Sequence, residues 1–408
     1  MQPRSSVGFL VSHYPRKPPP SALIKPSKEV VRDSEKAFGE FISTKVSIEQ
    51  PIFSMDGGHV QAAARRVDEV RGAASDPLEP PTVLEMEEAL GERVQRVELW
   101  TGNWRNRIYR VERASGDVAV AKQLLMGTDA RFQHEFDQLG RLSELQIPGL
   151  RVPKVLAVLG GKRTYVMEMV RGQTISALLA KSKNRAEILR ACELAGKILA
   201  GIHGAWTQEI GPMPVDLLAR DLAATPWHLS SRQRKILQAT FEALAGAEVR
   251  LGRIYYDYKP GNFLYKDGEL SLIDPPSISR RGVQLWDLSV FRSSMRRESW
   301  KLRLLRPLAR RRGITRQSVE AFEHGYLDSF TEAHPEPALF PLAARLFDLQ
   351  RTAVLITMQK GKVGTVRKNG GEDLGNPLAN RTMLFSLEME KRWLFRQLAR
   401  EVLVLTKS

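Results

Sequence analysis

The sequence has a single cysteine, Cys192, among its 408 residues. One thiol excludes an internal disulfide and any zinc site built from cysteines, and it fits a reducing compartment. Cys192 lies in an apolar stretch with helical spacing, so we predict a buried packing role for it and no nucleophilic one. No run approaches the roughly 20 apolar residues that a membrane-spanning helix needs. A short apolar patch at residues 7–11 is soon broken by prolines, which excludes a secretory signal. We therefore expect a cytoplasmic protein.

Acidic side chains are too few to balance the basic ones, and the net charge is +16. Residues 1–80 hold 11 basic and 10 acidic side chains, so nearly all of the excess lies in residues 81–408. Residues 290–312 alone carry nine basic side chains and one acidic side chain. This basic block fits an anionic substrate, or peripheral contact with the inner membrane surface. A solvated helix face explains it equally well.

Nucleic acid is a separate partner class for these charges. The sequence offers no recognisable helix-turn-helix and no sheet studded with aromatic residues, so nucleic-acid binding is disfavoured. A second basic run in the C-terminal part adds to the argument for an anionic acceptor, and it comprises Lys360, Lys362, Arg367 and Lys368.

Two regions are distinguished before residue 171. Residues 1–80 are rich in Pro, Ser and mixed charge, and we expect a poorly ordered leader there. Residues 81–170 alternate between strand-like and helical patterns. The predicted helices span 83–94 and 130–145, and the predicted strands span 97–100, 107–112, 118–122, 152–159 and 164–169. The pattern indicates a small lobe of antiparallel strands with one interposed helix.

The remainder, residues 171–408, is mainly helical. Helices are predicted at 175–181 and 186–204, short strands at 254–256, 263–265 and 270–273, and four or more helices from 284 onward. The sequence therefore predicts an α+β fold of two lobes, in which the larger C-terminal lobe also carries the short strands.

Three oxygen-bearing side chains mark the chemistry of the larger lobe. Asp257 is followed five residues later by Asn262, and a short strand then ends at Asp274. Phosphoryl transfer needs a group that orients the acceptor hydroxyl and ligands that hold Mg²⁺ against phosphates. Asn262 and Asp274 are suitable Mg²⁺ ligands, and Asp257 can aim and deprotonate a hydroxyl. An acidic turn is the alternative, since Asp and Asn are common in turns.

This frame of Asp, four residues, Asn, and an Asp after a strand resembles the catalytic loop of the protein-kinase-like superfamily. The resemblance implies a bilobal fold, with ATP and Mg²⁺ as cofactors, Asp257 as catalytic base, and Asn262 and Asp274 as metal ligands. It also implies a role for Lys259 at the γ-phosphate, as in Ser/Thr protein kinases.

The same resemblance implies an ATP-contacting lysine on the third strand and a glutamate on the following helix. Lys122 ends the run from Val118, and Glu135 lies in the predicted helix. Asp137 is a rival to Glu135, but it lies on a different helical face, so the two cannot both serve.

Two further segments complete the nucleotide site that the resemblance implies. The turn beginning Gly102-Asn103 would cover the phosphates with backbone amides, although a plain hairpin turn explains it equally well. The segment from Glu168 to Val170 matches the hinge between lobes, where backbone groups would read adenine. A buried strand is the alternative there.

The connection after Asp274 indicates which branch of the kinase-like superfamily the sequence resembles. Only 12 residues separate Asp274 from Asp287, and no Ala-Pro-Glu motif follows. This short connection, and the segment 322–326, resemble aminoglycoside phosphotransferases and related small-molecule kinases. Asp287 is then expected to brace the catalytic loop. Two departures from the superfamily pattern are Tyr255, where a His is usual, and Pro275-Pro276, where protein kinases have Phe-Gly.

We therefore predict an ATP- and Mg²⁺-dependent phosphotransferase that moves the γ-phosphoryl group to a hydroxyl of a small molecule or glycan. Kinases of lipopolysaccharide core sugars share the fold and face a charged acceptor, so they are one alternative. A Ser/Thr protein kinase is another, and a non-catalytic, kinase-shaped binding protein is an alternative from a different class.

Overall fold

The computed structural model describes residues 78–102, 105–182, 184–276, 280–305, 314–330, 334–368 and 377–406. The predicted leader therefore lies outside the described residues except for residues 78–80. Its predicted disorder, and the domain boundaries at 80 and 170, stay predictions.

The strands are β1 (Val94–Gly102), β2 (Asn106–Arg113), β3 (Val118–Leu124), β4 (Leu150–Arg151), β5 (Val155–Leu159), β6 (Thr164–Glu168), β7 (Gln173–Thr174), β8 (Thr207–Pro212), β9 (Glu248–Ile254), β10 (Phe263–Lys266), β11 (Glu269–Leu272) and β12 (Arg280–Val283). The helices are α1 (Val83–Leu90), α2 (Asp129–Glu144), α3 (Ile175–Lys181), α4 (Arg185–Trp206), α5 (Val215–Ala223), α6 (Ser231–Leu244), α7 (Leu285–Leu305), α8 (Ile314–Leu327), α9 (Phe340–Lys368) and α10 (Pro377–Leu405). Short 3₁₀ turns span Gly160–Lys162 and Pro260–Asn262.

The first lobe is a five-stranded antiparallel sheet in the order β1-β2-β3-β6-β5. Side chains alternate between the two faces of a strand, so one face of β3 packs Ala119 and Ala121 against Met86 of α1. The other face carries Leu124, which packs with Phe132 of α2. Lys122 shares this second face, and the sheet therefore points it toward α2.

Helix α1 is shorter than the predicted 83–94. It begins with a capping box in which Thr82 and Glu85 satisfy each other's backbone N–H groups. It ends where Gly91 adopts φ 68°, a left-handed conformation that glycine adopts without a Cβ penalty. The chain then enters β1, so the end predicted at residue 94 is wrong.

The second lobe is built around α4, whose buried face runs from Ile188 to His203. A four-stranded sheet (β4-β11-β10-β7) and a three-stranded sheet (β12-β9-β8) lie beside it. Helices α4 and α8 approach so closely that a Cβ on Gly196 would lie 2.1 Å from the carbonyl oxygen of Phe322. Cys192 on α4 is fully buried, which confirms its packing role, and burial raises the pKa of its thiol to about 12.

The bilobal α+β prediction is confirmed, with local corrections. The strand predicted at 254–256 ends at Ile254, since the backbone then turns through φ 74° at Tyr256. Strands β4, β7, β8 and β12 and helices α5 and α6 were not predicted.

The basic block does not form a surface over its described half. Arg292 is 1% exposed and pairs with Glu323 and Asp348 at 2.8 and 2.9 Å. Arg296 pairs with Asp348 and with Glu390 at 3.0 and 2.8 Å.

Arg297 completes the described half of the block. It is largely buried, and burial together with Arg351 lowers its pKa to about 10. The expectations of a solvated face and of membrane contact are therefore wrong for these three arginines, because helix packing encloses them. The side chains of residues 299–312 lie outside the described residues.

Candidate active site

The β10–β11 hairpin brings two of the predicted residues together. The backbone N–H of Ile273 donates to the carbonyl oxygen of Asn262 at 3.0 Å, so Asn262 lies beside the residue that precedes Asp274. The Asn262 side-chain amide donates to the backbone carbonyl of Asp257 at 3.0 Å. This bond directs the amide nitrogen toward the loop and leaves the Oδ1 atom of Asn262 available as a ligand.

Asp287 fixes the loop that leads into Asp257. It is fully buried, and its carboxylate accepts the backbone N–H groups of Tyr255 and Tyr256, each at 2.6 Å. The same carboxylate lies 3.0 Å from Nε2 of His203, whose Nδ1 lies 3.0 Å from the hydroxyl of Tyr326. The predicted bracing role of Asp287 is confirmed by these contacts. They hold Tyr256 at a positive φ, a strained conformation that places Asp257.

Tyr255, the departure from the usual His, makes a contact of its own. Its hydroxyl donates to the backbone carbonyl of Asp274 at 2.7 Å. Its ring is fully buried and stacks on Trp206 with centroids 6.4 Å apart. Burial, together with Asp274 and other nearby acidic groups, raises the pKa of Tyr255 well above its usual value, so the hydroxyl remains a donor.

Lys122 joins the two lobes. Its Nζ lies 2.5 Å from Oε1 of Glu135 on α2 and 2.5 Å from Oδ1 of Asp274. Burial of the ammonium acts to lower the pKa of Lys122, but Asp274, Tyr165 and Glu135 outweigh it and hold that pKa well above its usual value.

Glu135, and not Asp137, faces Lys122. Glu135 is buried and also accepts the hydroxyl of Tyr165 at 2.9 Å. Asp137 accepts instead from Gln133, one turn away on the exposed face of α2.

Asp257 and Lys259 form a half-exposed pair. Lys259 Nζ lies 2.5 Å from Oδ2 of Asp257, and the two side chains are 39% and 44% exposed. A carboxylate and an ammonium group are therefore both accessible at the mouth of the loop.

The oxygen atoms at this site suit a hard cation that takes only some of its ligands from the protein. Among the described residues no cluster of three or more His, Cys, Asp or Glu side chains is placed to hold a metal ion. Asn262 and Asp274 supply two oxygen ligands, and Mg²⁺ is commonly held by one or two carboxylates together with waters and substrate phosphates. The pair therefore fits Mg²⁺ bound with a phosphate and does not form a structural metal site.

A cleft of about 760 Å³ opens beside the predicted hinge. Val170 lines it, and Trp100 of β1 and Leu264 of β10 lie along it with the first turns of α3. Glu168 directs its side chain elsewhere, pairing with Arg151 at 3.1 Å and accepting the backbone N–H of Lys154 at 3.2 Å. Its backbone N–H donates to the carbonyl oxygen of Lys154 at 2.9 Å, so that N–H cannot serve the reading role predicted for it.

Two of the predicted nucleotide-binding residues remain, Gly102 and Asn103. Gly102 ends β1 near the cleft residue Trp100, and Asn103 lies outside the described residues. Trp100 and Leu264 were missed, because their sequence neighbourhoods read as ordinary strands. In the sequence, the signal for Trp100 was a tryptophan at the end of a predicted strand, and the structure shows that this side chain is 55% exposed.

The sheet-plus-helix first lobe and this loop together define the protein-kinase-like class. Residues 96–340 match the phosphotransferase enzyme family (APH), so the chain belongs to that family and is a phosphotransferase of kinase type. The alternative of a non-catalytic binding protein is thereby set aside. No curated protein sequence matches the chain.

Solved structures similar to the chain include other kinases. A candidate fructosamine-3-kinase from Thermobifida fusca is 20% identical, over 78% of this chain and 98% of that one, with a TM-score of 0.44. Amicoumacin kinase with AMP-PNP and Ca²⁺ is 14% identical, over 83% and 95%, with a TM-score of 0.46. An aminoglycoside phosphotransferase with AMP-PNP and hygromycin B is 12% identical, over 79% and 97%, with a TM-score of 0.45. Family membership is established by the match over residues 96–340.

None of the helices in the described ranges has the length and apolar character needed to cross a bilayer.

Proposed function

We propose that the protein transfers the γ-phosphoryl group of ATP, with Mg²⁺, to a hydroxyl group of a small molecule or glycan. The observation that carries the proposal is the contact of Lys122 with Glu135 and with Asp274, which joins β3 and α2 of the first lobe to the catalytic loop. A lysine, a helix glutamate and a metal-binding carboxylate in this order are the recurring parts of kinase phosphate sites.

Asp257 is the proposed base. Its carboxylate is accessible, and its position is fixed through the backbone contacts of Asp287 with the two preceding residues. It accepts the proton of the acceptor hydroxyl as that oxygen bonds to phosphorus. Lys259, paired with Asp257, places a positive charge where negative charge develops on the transferred group.

Asn262 and Asp274 would hold Mg²⁺ through their side-chain oxygens, and Lys122 would contact the phosphates. The cation supplies charge neutralisation along the phosphate oxygens. The cleft in which we place adenine is bordered by Met169, Val170, Trp100 and Leu264.

Positive groups beside the loop support an anionic acceptor. The Arg280 guanidinium lies 4.7 Å from the ring centroid of Tyr256, which stacks on Trp286 with centroids 5.9 Å apart. Arg351 lies 5.5 Å from the Trp286 ring. This cation–aromatic row starts at the residue before Asp257, so a hydroxyl compound bearing phosphate or carboxylate suits it better than a polycation. A phosphorylated core sugar of lipopolysaccharide is one member of this class.

Two substitutions test the proposed chemistry. Asp257→Ala should reduce transfer from labelled ATP by at least about 100-fold, the scale of general-base catalysis. It should leave the thermal shift caused by AMP-PNP and Mg²⁺ unchanged. Asp274→Ala should also abolish the Mg²⁺-dependent part of that shift.

Asp267→Asn, in the turn of the same hairpin, is the matched control and should behave as wild type. Asp267 is highly exposed and has φ 50°, a conformation that asparagine accepts readily. Near-wild-type turnover of Asp257→Ala would refute the catalytic assignment.

The acceptor class is tested with a small-molecule extract incubated with the enzyme and labelled ATP. Prior passage of the extract over anion-exchange resin should remove the compound that becomes labelled. Label appearing in the flow-through fraction would contradict an anionic acceptor, and label confined to protein bands would contradict a small-molecule acceptor.

A further inference from the structure

Helix α10 is buried along one side only. Leu387, Leu394 and Leu398 are buried on that side, and the helix packs against α9 and α6. At 3.6 residues per turn, the exposed positions between Arg381 and Val404 fall within about 140° on the opposite side of the helix. This side, which we call the outer face of α10, is about 35 Å long at the rise of an α-helix.

The charges of the outer face have one sign. Its four exposed cations are Arg381, Arg392, Arg396 and Arg400. Within the described part of the chain, none of the four forms an ion pair. They differ in this from the arginines of α7, which are buried against carboxylates, and they remain available to an external anion.

The acidic residues of α10 lie off the outer face. Glu390 is buried and pairs with Arg296 at 2.8 Å, and Glu388 pairs with Lys391 at 2.5 Å. Glu401 falls on the buried side of the helix by its spacing. The helix itself therefore supplies no carboxylate that would neutralise the four arginines.

Large apolar side chains lie among these arginines. Phe385 is 68% exposed, and Leu403 and Val404 are 54% and 63% exposed. By helical spacing, Phe385 and Leu403 share one row with Arg392 and Arg396. A single exposed apolar side chain is ordinary on a protein surface. Three of them on one helix face with four unpaired cations indicate a partner that offers both anions and an apolar layer.

We propose that the outer face of α10 binds the surface of a membrane that contains anionic lipids. A helix that lies in the membrane interface buries its apolar side chains at the boundary between headgroups and acyl chains, while its cations meet lipid phosphates. Arginine suits this position because its methylene stem can lie along apolar groups while its guanidinium reaches the headgroups. The proposal does not depend on the phosphotransferase chemistry, since it uses no residue of the proposed active site.

Two other occupants fit the outer face less well. A second copy of the chain would bring unpaired arginines of both faces together, because a two-fold contact sets one surface against itself. A nucleic acid would neutralise the arginines through its phosphates. Its backbone would leave Phe385, Leu403 and Val404 without an apolar partner.

The experiment is co-sedimentation of the full-length protein, without nucleotide, with vesicles of phosphatidylcholine alone or mixed with an equal part of phosphatidylglycerol. Binding should require phosphatidylglycerol and should fall as sodium chloride is raised. The double variant Arg396→Gln/Arg400→Gln should weaken the partition by about 30-fold, because each basic residue near an anionic surface contributes about a tenth of that logarithmic scale or more.

The matched control for charge is Lys266→Gln/Arg316→Gln. Both side chains are exposed, and they pair locally with Asp267 and Glu320. The control removes the same charge from a protein whose net charge of +16 favours any anionic surface, so it separates the outer face from general attraction. It should bind the vesicles as wild type does.

Leu403→Ala tests the apolar part of the outer face. It should weaken the partition by about fivefold, because less apolar surface leaves water on binding. Leu84→Ala on α1 is the matched control, since Leu84 is 73% exposed, and it should bind as wild type does. All of these side chains are exposed, so the unfolding temperatures of the variants should stay close to that of wild type.

The proposal is overturned if wild type does not bind the mixed vesicles, or binds both kinds equally. It is also overturned if the arginine variant and its charge control lose the same affinity, or if Leu403→Ala binds unchanged. Binding of duplex DNA that the arginine variant loses and Leu403→Ala keeps, in a protein that ignores vesicles, would assign the face to nucleic acid. Self-association that Leu403→Ala abolishes, again without vesicle binding, would assign it to a second copy.

Discussion

Two buried tyrosines three residues apart make similar hydrogen bonds, but only one of these bonds lies at the proposed active site. Tyr255 and Tyr258 are both fully buried, and each hydroxyl donates to a backbone carbonyl, at 2.7 and 2.6 Å. The acceptor of Tyr255 is Asp274, a proposed metal ligand, whereas the acceptor of Tyr258 is Ala195 inside α4. The two bonds are alike in energy and differ in what they position.

We therefore predict that Tyr255→Phe and Tyr258→Phe each lower the free energy of unfolding by about 1–2 kcal/mol, because each removes the hydrogen bond of a buried tyrosine hydroxyl. Only Tyr255→Phe should raise KM for Mg·ATP, by severalfold, since the carboxylate of residue 274 loses its backbone support. Urea denaturation and initial-rate kinetics measure the two effects. Equal KM values for the two variants would show that the Tyr255 bond is purely structural.

The packing of α4 against α8 depends on glycine. A Cβ on Gly196 would lie 2.1 Å from the Phe322 carbonyl oxygen, and one on Gly325 would lie 2.1 Å from that of Glu193. Backbone atoms on both sides of the contact cannot move independently, so neither helix can accommodate a methyl group without separating from the other. This contact also places His203 and Tyr326 within hydrogen-bonding distance.

Gly196→Ala should accordingly destabilise the protein by about 3 kcal/mol, the upper range of overpacking. Gly204→Ala, on the same helix with nothing within 4 Å of the added atom, should be neutral or stabilising by up to about 1 kcal/mol. Thermal unfolding of the two variants makes the comparison. A Gly196→Ala protein as stable as wild type would mean that the helices separate at little cost.

Elements with a strong local pattern were predictable. The alternating run of β3 and the amphipathic period of α2 predicted these two elements, and the resemblance to the kinase-like superfamily then indicated Lys122 and Glu135 within them. The Asp-Asn-Asp spacing indicated the catalytic loop. Strands β8 and β12 carry charged and polar residues on exposed positions, so no hydrophobic alternation marks them.

Groupings made by tertiary contact had no such signal. His203 and Tyr326 are 123 positions apart in the sequence and meet only when α4 packs against α8. The prediction of an exposed surface from the basic block was wrong for the same reason. Its charges are evident in the sequence, but their carboxylate partners lie on α8, α9 and α10.

At the scale of the whole molecule, that buried network holds the C-terminal helices together. Asp348 of α9 is fully buried and lies within 3.0 Å of both Arg292 and Arg296 of α7. Glu323 of α8 and Glu390 of α10 complete it. Burial raises the pKa of Glu323 despite the opposing pull of Arg292. Four helices distant in sequence thus share one set of charges.

Asp348→Asn should lower the free energy of unfolding by about 3–5 kcal/mol, because it leaves two buried guanidinium groups with one carboxylate fewer. Glu320→Gln, which breaks the exposed pair with Arg316, should cost less than about 0.5 kcal/mol. Chemical denaturation distinguishes them. A loss below about 1 kcal/mol for Asp348→Asn would show that water or a rearranged partner compensates the charges.

Asp287 holds the catalytic loop by hydrogen bonds from main-chain N–H groups, which every residue except proline has. Position 255 is therefore free to change its side chain without releasing the aspartate that follows it at 257. A tyrosine can replace the customary histidine there and take up a new task at the carbonyl of Asp274. Main-chain hydrogen bonds keep the shape of the loop whichever side chain stands at position 255. That side chain can therefore take on a different role.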